Sequence, residues 1–290
     1  MTREQLRAKR RARARAARMT EIAMKIMTGG AAAGVLAAAA GLLVYLVVRG
    51  GPSISWNFLT QLPRNGGIFP AIVGTFWLVA GTAVFALPIG VSTGIYLSEY
   101  APRGRRTRII RLAIANMAGV PSIVYGLFGL ATFVLLFGFK VSILSGSLTL
   151  ACLTLPVVIT STEEALRQVP NDLRQASLAL GATRWRTIRT VVLPAAAPGI
   201  VTGAILGLSR AAGETAAVIF TAVFFSAPLP NSPLDKVMAL PYHIYINATQ
   251  SNRPQPGVVW GSALVLVAGV TIVNVAAALW RSRARRRVTW

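Results

Sequence analysis

The chain has 290 residues, of which 54% are hydrophobic and 13% charged, with a mean hydropathy of +0.60. This apolar content exceeds that of an ordinary soluble domain and points to a membrane protein. A net charge of +22, from 30 Lys and Arg against 8 Asp and Glu, would suit nucleic-acid binding on a polar surface, but here the charges lie almost wholly between apolar runs.

The first 28 residues form a basic tail, REQLRAKRRARARAAR and its flanks. Its composition resembles a nucleic-acid arm, but beside a membrane span its expected partner is anionic lipid. The apolar run that follows is long and shows no cleavage site, so it is read as a retained span rather than a cleaved signal. Crossing about 30 Å of hydrocarbon takes roughly 20 helical residues. On that measure the sequence predicts six spans: Gly29–Val48, Ile68–Ile95, Leu112–Phe137, Ser147–Ile159 running on to Ala165, Gly199–Phe225, and Val258–Trp280. The loop Ser98–Arg111, with Arg103, Arg105, Arg106, Arg108 and Arg111, reads as a positive-inside anchor. Glycines at four-residue spacing (Gly30 and Gly34, Gly90 and Gly94, Gly203 and Gly207) predict close helix packing and nothing more specific.

Six spans place both termini on one side. The two tails and the two loops on that side carry 24 Lys and Arg, the opposite side carries 5, and Arg210 is the remaining one. The asymmetry predicts that both termini are cytoplasmic.

Residues for chemistry are scarce. No Lys follows a Gly, so there is no Walker A loop, and this chain is expected neither to hydrolyse ATP by that route nor to act as an enzyme. The single His243 has no neighbouring metal-ligating partners, so no metal site is expected, and a lone Cys152 rules out an intramolecular disulfide. Asn247, Ala248 and Thr249 match a glycosylation pattern that occurs often by chance. Glu163 and Glu164 are adjacent in sequence and point about 100° apart on a helix, so they cannot flank one bond as an acid and base. Glu163 with Arg167, four residues on, reads as a solvated helix pair.

The inner segment EALRQVPNDLRQASLALGATRWRTIRTVVLPAAAPG is too regular for a mere connector. Leu173, Ala176 and Leu180 share a helical face, Gly181 offers a helix end, and a second amphipathic segment, Thr183–Leu193, is expected to stop at Pro194. Two short helices with an apolar face make a docking surface. Gln175, Ala176, Ser177, three residues ending in Leu180, Gly181, nine residues, Val191, one residue, Leu193 and Pro194 resemble the EAA loop of ABC importer permeases, E-A-A-x3-G-x9-I-x-L-P. Gln for Glu, Ser for Ala and Val for Ile are the departures. The stretches LPIGVSTGIYLSEYAPR, NMAGVPSIVYGLFGL, SRAAGETAAVIFTA and LPYHIYINATQ narrow the resemblance to the A-type permease subunit of the bacterial phosphate ABC importer.

The resemblance implies an all-α integral membrane protein, a six-helix type I ABC importer permease bundle over residues 29–290 with its coupling loop near 165–195. It implies a homologous second permease, two ATPase subunits that hold ATP and Mg, and an outer phosphate-binding protein. No cofactor is expected on this chain. The loop would sit in a groove of an ATPase and turn nucleotide-driven closure into helix rotation. The alternatives are a permease for another oxyanion, sulfate or molybdate, and a non-transporting membrane scaffold in phosphate signalling.

Within SRAAGETAAVIF, Arg210 and Glu214 fall inside the predicted fifth span. A central Arg costs about 2.5 to 3.5 kcal/mol on insertion scales, so it must face a partner or a wet cavity. Glu214 stands four residues on, and an internal ion pair is one reading. The other is that Arg210 offers its planar fork of donors to phosphate on the translocation path, with Glu214 positioning it or accepting a hydrogen bond from protonated phosphate.

Overall fold

The computed structural model of the chain describes residues 3–102, 104–250 and 256–285. Arg103, Arg253 and the side chains of the basic tail through residue 17 lie outside the described residues. Apart from one isolated bridge between Val223 and Val237, the described residues contain no strand pairing.

Helix α1, Arg3–Gly50, joins the basic tail and the first span in one 48-residue helix, about 72 Å long at 1.5 Å per residue. A short α2, Trp56–Thr60, begins where the Ser55 hydroxyl accepts a hydrogen bond from Phe58 N. Helix α3, Phe69–Ile95, continues through a π-helical turn, Tyr96–Tyr100. Next come α4, Arg105–Ala118, and α5, Ser122–Gly129, extended by a π-helical stretch, Leu130–Leu136. Helix α6, Ile143–Arg167, is capped by Ser142, whose hydroxyl accepts from Ser145 N. The inner loop holds α7, Asn171–Ala179, and α8, Arg184–Thr187, which runs through a π-helical turn, Ile188–Val192, into α9, Leu193–Ala212. A four-residue α10, Ala216–Ile219, α11, Leu240–Thr249, and α12, Pro256–Arg285, follow.

Five of these helices are long and apolar enough to cross a membrane, and α4 with α5 passes the same test as a pair bent by 100°. The expected third span, Leu112–Phe137, is therefore found as a broken one that begins earlier, at Arg105. Gly119 ends α4, and Pro121, with no N–H to continue the ladder, starts a new helix in another direction. Packing register shows that this pair still returns the chain across the bundle. Gly81 abuts Ser147, Gly90 abuts Val158 and Gly94 abuts Thr162, so α3 and α6 run parallel and an odd number of crossings separates them. Counted as one span, the bent pair brings the total to six.

The remaining directions follow from the same kind of contact. Gly199 faces Ala165, Gly203 faces Ser161 and Gly207 faces Val158, making α9 antiparallel to α6. Ser209 meets Asn274 and Thr202 meets Arg281, making α12 antiparallel to α9. Gly50 and Ser53 meet Trp260 and Gly257, so α1 ends where α12 begins. The end of α12 thus lies at the end of the bundle that carries α7 and α8, and the end of α1 lies at the opposite one.

Helix α6 is the hub, with 67% of its span buried, against 6% for α12 and none for α1. A Cβ at Gly90 or Gly94 would stand 2.7 Å from Val158 or Thr162, so glycine there sets how near α3 comes to α6. Gly30 and Gly34 have open space around them in this chain.

The segment after α10 folds back into the bundle rather than arching over it. Asp235 accepts from the backbone of Asn231 and Ser232 at 2.8 and 2.9 Å, and its own carbonyl accepts from Ile143 N at 2.9 Å. Leu240 N donates to Thr75 Oγ1 at 2.8 Å, and the Met238 carbonyl lies directly on Gly74, where any side chain would collide.

Two further expectations are corrected. Pro194 does not stop the helix after Thr183; it sits in the first turn of α9, where its missing N–H costs little because the π-helical turn already leads in. The predicted span Gly199–Phe225 is not one helix either. It starts earlier, with α8 and α9 continuous over Arg184–Ala212, and breaks at Gly213.

Candidate functional site

The inner loop forms a ledge at one end of the bundle. Asp172 sits in the first turn of α7, where its charge complements the helix N-terminus. Gly181, at φ +81°, ends that helix: Ala182 N bonds back to Ser177 O and Gly181 N to Leu178 O, a glycine-dependent C-terminal motif. Ser177 and Thr187 hydroxyls, 2.9 Å apart, tie α7 to α8. Gln175 and Ala176 are exposed, as are Gly181 and Pro194, while Val191 and Leu193 are half-buried and fix the ledge to the bundle. The exposed large apolar side chains of the ledge are Leu180, at 89%, Leu178 and Trp185. Leu173 turns inward instead, packing with Val91 and Ile95 of α3 around buried Leu166, Val169 and Val192. The shared face expected for Leu173, Ala176 and Leu180 is thereby split between core and surface.

Charged residues under the ledge were misjudged from sequence. Glu163 is buried, not solvated, and is shared by Arg167 at 2.6 Å and Arg111 at 2.7 Å. Arg111 also donates to Leu97 O at 2.9 Å, so it belongs to a helix-joining cluster rather than a surface anchor. Arg174 of α7 binds Glu99 with both arms, at 2.7 and 3.3 Å. Sequence offered no signal for this pair, whose members stand 75 residues apart.

The second feature is the broken end of α9. Continuing its register on α6 sets Arg210 opposite Thr154, about 16 Å along a helix of roughly 37 Å. Arg210 is thus central in depth, as expected, but it stands in the last turn of a helix, where a cation also offsets the exposed carbonyls. The side chain is exposed in the isolated chain. Its neighbour Ser209 donates to Asn274 Oδ1 at 2.7 Å. Glu214 is half-buried beyond the break, and no ion pair joins it to Arg210 among those found in the described residues. The four-residue spacing stacks side chains only on a continuous helix, and Gly213 interrupts this one. Non-helical backbone at membrane depth is stable where it is buried in protein or lines a wet cavity.

His243 is buried in α11, with Nδ1 3.3 Å from the Ser262 hydroxyl, and burial lowers its pKa to about 4. Among the described residues no group of His, Cys, Asp and Glu is arranged to hold a metal ion.

Against known proteins, residues 86–286 match a family described as binding-protein-dependent transport system inner membrane component. A probable ABC transporter permease protein of Bacillus subtilis, YqgI, is 38% identical over 277 residues, covering 89% of this chain and 94% of that protein. The phosphate transport system permease protein PstA 1 of Mycobacterium tuberculosis is 40% identical over 222 residues, covering 77% of this chain and 73% of that protein. Among solved structures, an inward-facing MetNI methionine ABC transporter chain superposes with a TM-score of 0.60 at 19% identity, covering 78% of this chain and 99% of that one. At that identity the likeness speaks for the fold.

Proposed function

Because the chain belongs to the family of binding-protein-dependent transport system inner membrane components, and is thereby an ABC importer permease subunit, we propose that Arg210 lines its path for inorganic phosphate. The observation that carries this reading is an exposed Arg at mid-depth, on the broken end of α9. Such a charge does not face lipid. Its planar guanidinium suits bidentate binding of a tetrahedral oxyanion better than a lysine would. The relative named for phosphate transport supports phosphate as that anion.

On this reading the chain is a transport subunit and not an enzyme. It pairs with a homologous second permease and two ATPase subunits that bind ATP and Mg, and it receives phosphate from an outer binding protein. It holds no cofactor of its own. Leu180, Leu178 and Trp185, with Gln175, Ala176, Ser177 and Gly181 around them, form the surface that docks on an ATPase. The 24 to 5 distribution of Lys and Arg supports a cytoplasmic position for that surface and both termini, with the basic tail against anionic lipid.

The test is ATP-driven uptake of labelled phosphate into proteoliposomes holding the whole complex, with excess sulfate or molybdate as competitor. Phosphate uptake that resists both is expected. Uptake abolished by sulfate or molybdate would move the substrate to that oxyanion, and no uptake of any of them would favour the scaffold.

A further inference from the structure

We propose that the Glu99–Arg174 pair is the strut that carries movement of the docking helix α7 into the membrane bundle, with Glu99 as a positioning residue for energy coupling. The inference rests on the ABC permease reading of the ledge.

One guanidinium fastens three segments. Arg174 Nη2 lies 2.7 Å from Glu99 Oε1 and Nε 3.3 Å from Oε2, which is two-armed contact with the π-helical end of α3. Nη2 also donates to Leu166 O at 2.8 Å and Nη1 to Val169 O at 2.6 Å, gripping the end of α6. Both side chains are largely buried, 17% and 10% exposed, so the pair is shielded from salt and water. Among the ion pairs found in the described residues, this is the one that leaves α7 for the bundle; the others join α4 to α6 or lie within a helix.

The surroundings suit a moving joint. Leu173, next to Arg174, packs on the buried cluster of Leu166, Val169 and Val192, against which Val91 and Ile95 of the same helix α3 also pack. Apolar packing tolerates sliding, whereas a two-armed ion pair has direction and resists it. Glu99 stands in a π-helical turn, and a second one, Ile188–Val192, leads from the ledge into α9. Such turns are rare and concentrate at functional sites. A push on the exposed face of α7 therefore reaches α3 and α6 through Arg174, while α9 takes up the change at its own π-helical turn.

Glu99 is the cleaner position to vary, because Arg174 also closes the end of α6. The experiment compares wild type, Glu99→Gln and Glu99→Asp in the whole complex in proteoliposomes, measuring anion transported per ATP hydrolysed, with phosphate, sulfate and molybdate each supplied labelled. Glu99→Gln is expected to assemble and hydrolyse ATP within about twofold of wild type while transport per ATP falls about fivefold or more, with Glu99→Asp intermediate. A merely structural role would lower assembly and ATP hydrolysis and leave the ratio alone. An unchanged ratio in Glu99→Gln overturns the strut. If Glu99→Gln does not assemble, Glu99→Asp decides: a lowered ratio supports the strut and a wild-type ratio overturns it. A wild-type complex that moves sulfate or molybdate but not phosphate counts against the substrate, and the ratio is then read with the anion that moves.

Discussion

Arg210 is a residue whose position was legible and whose setting was not. The sequence places a guanidinium amid apolar residues, and its central depth survives in the structure. What the spacing to Glu214 concealed is the helix end at Gly213, since a lone glycine in an apolar run reads as packing until the backbone is seen to break. With no Arg210–Glu214 ion pair among the described residues, we propose that Glu214 in a phosphate path accepts a hydrogen bond from protonated phosphate, which fully ionised sulfate cannot offer. Glu214→Gln is accordingly expected to keep phosphate uptake and admit sulfate as a competitor; unaltered sulfate exclusion would remove Glu214 from selectivity. His243 carries a separate prediction outside the spanning helices. Its folded pKa, about 4, lies below the usual 6.5, so the unfolded chain takes up the proton first as pH falls. The stability it contributes is intact above pH 6.5 and is lost progressively toward pH 4, by roughly 3 kcal/mol at most. Thermal unfolding of the purified protein between those pH values should show this loss, and His243→Gln should flatten it.

At the scale of elements, the inner loop was largely readable and its attachment was not. Gly181 as the end of α7 followed from the sequence, because a glycine after an amphipathic run supplies the left-handed turn. Pro194 misled, since a proline reads as a stop when the preceding turn is taken as α-helical, and here a π-helical turn delivers the chain into α9. Trp185 and Leu178 were overlooked because the loop motif does not include them, yet with Leu180 they are the large apolar side chains that the loop leaves exposed. Large apolar side chains exposed together at a docking surface are where binding energy concentrates. Leu180→Ala with Trp185→Ala is expected to weaken association with the ATPase subunits by roughly 30-fold, about 2 kcal/mol, measurable as loss of co-purification at low concentration. Retained co-purification would place the docking surface elsewhere on the ledge.

For the whole molecule, hydropathy was enough to find six passes, and the contact register supplies their directions. Parallel α3 and α6 require the bent pair between them to cross, as the apolar run of residues 112–137 suggested, although hydropathy did not show the 100° bend within it. Sequence also could not show that residues 226–240 return into the bundle, because that path depends on Gly74 admitting the Met238 carbonyl and on Thr75 accepting from Leu240 N. Orientation in the membrane is open to direct labelling. In a Cys152→Ser background, a membrane-impermeant maleimide applied to intact cells should label Leu234→Cys and spare Leu180→Cys; the reverse pattern would invert the topology. The account as a whole stands on the path through the end of α9. Its most direct test is phosphate uptake by the whole complex with Arg210→Gln beside wild type, with assembly and ATP hydrolysis measured on the same samples. Uptake lost while assembly and hydrolysis persist is the expected result, and undiminished uptake in Arg210→Gln would contradict the account.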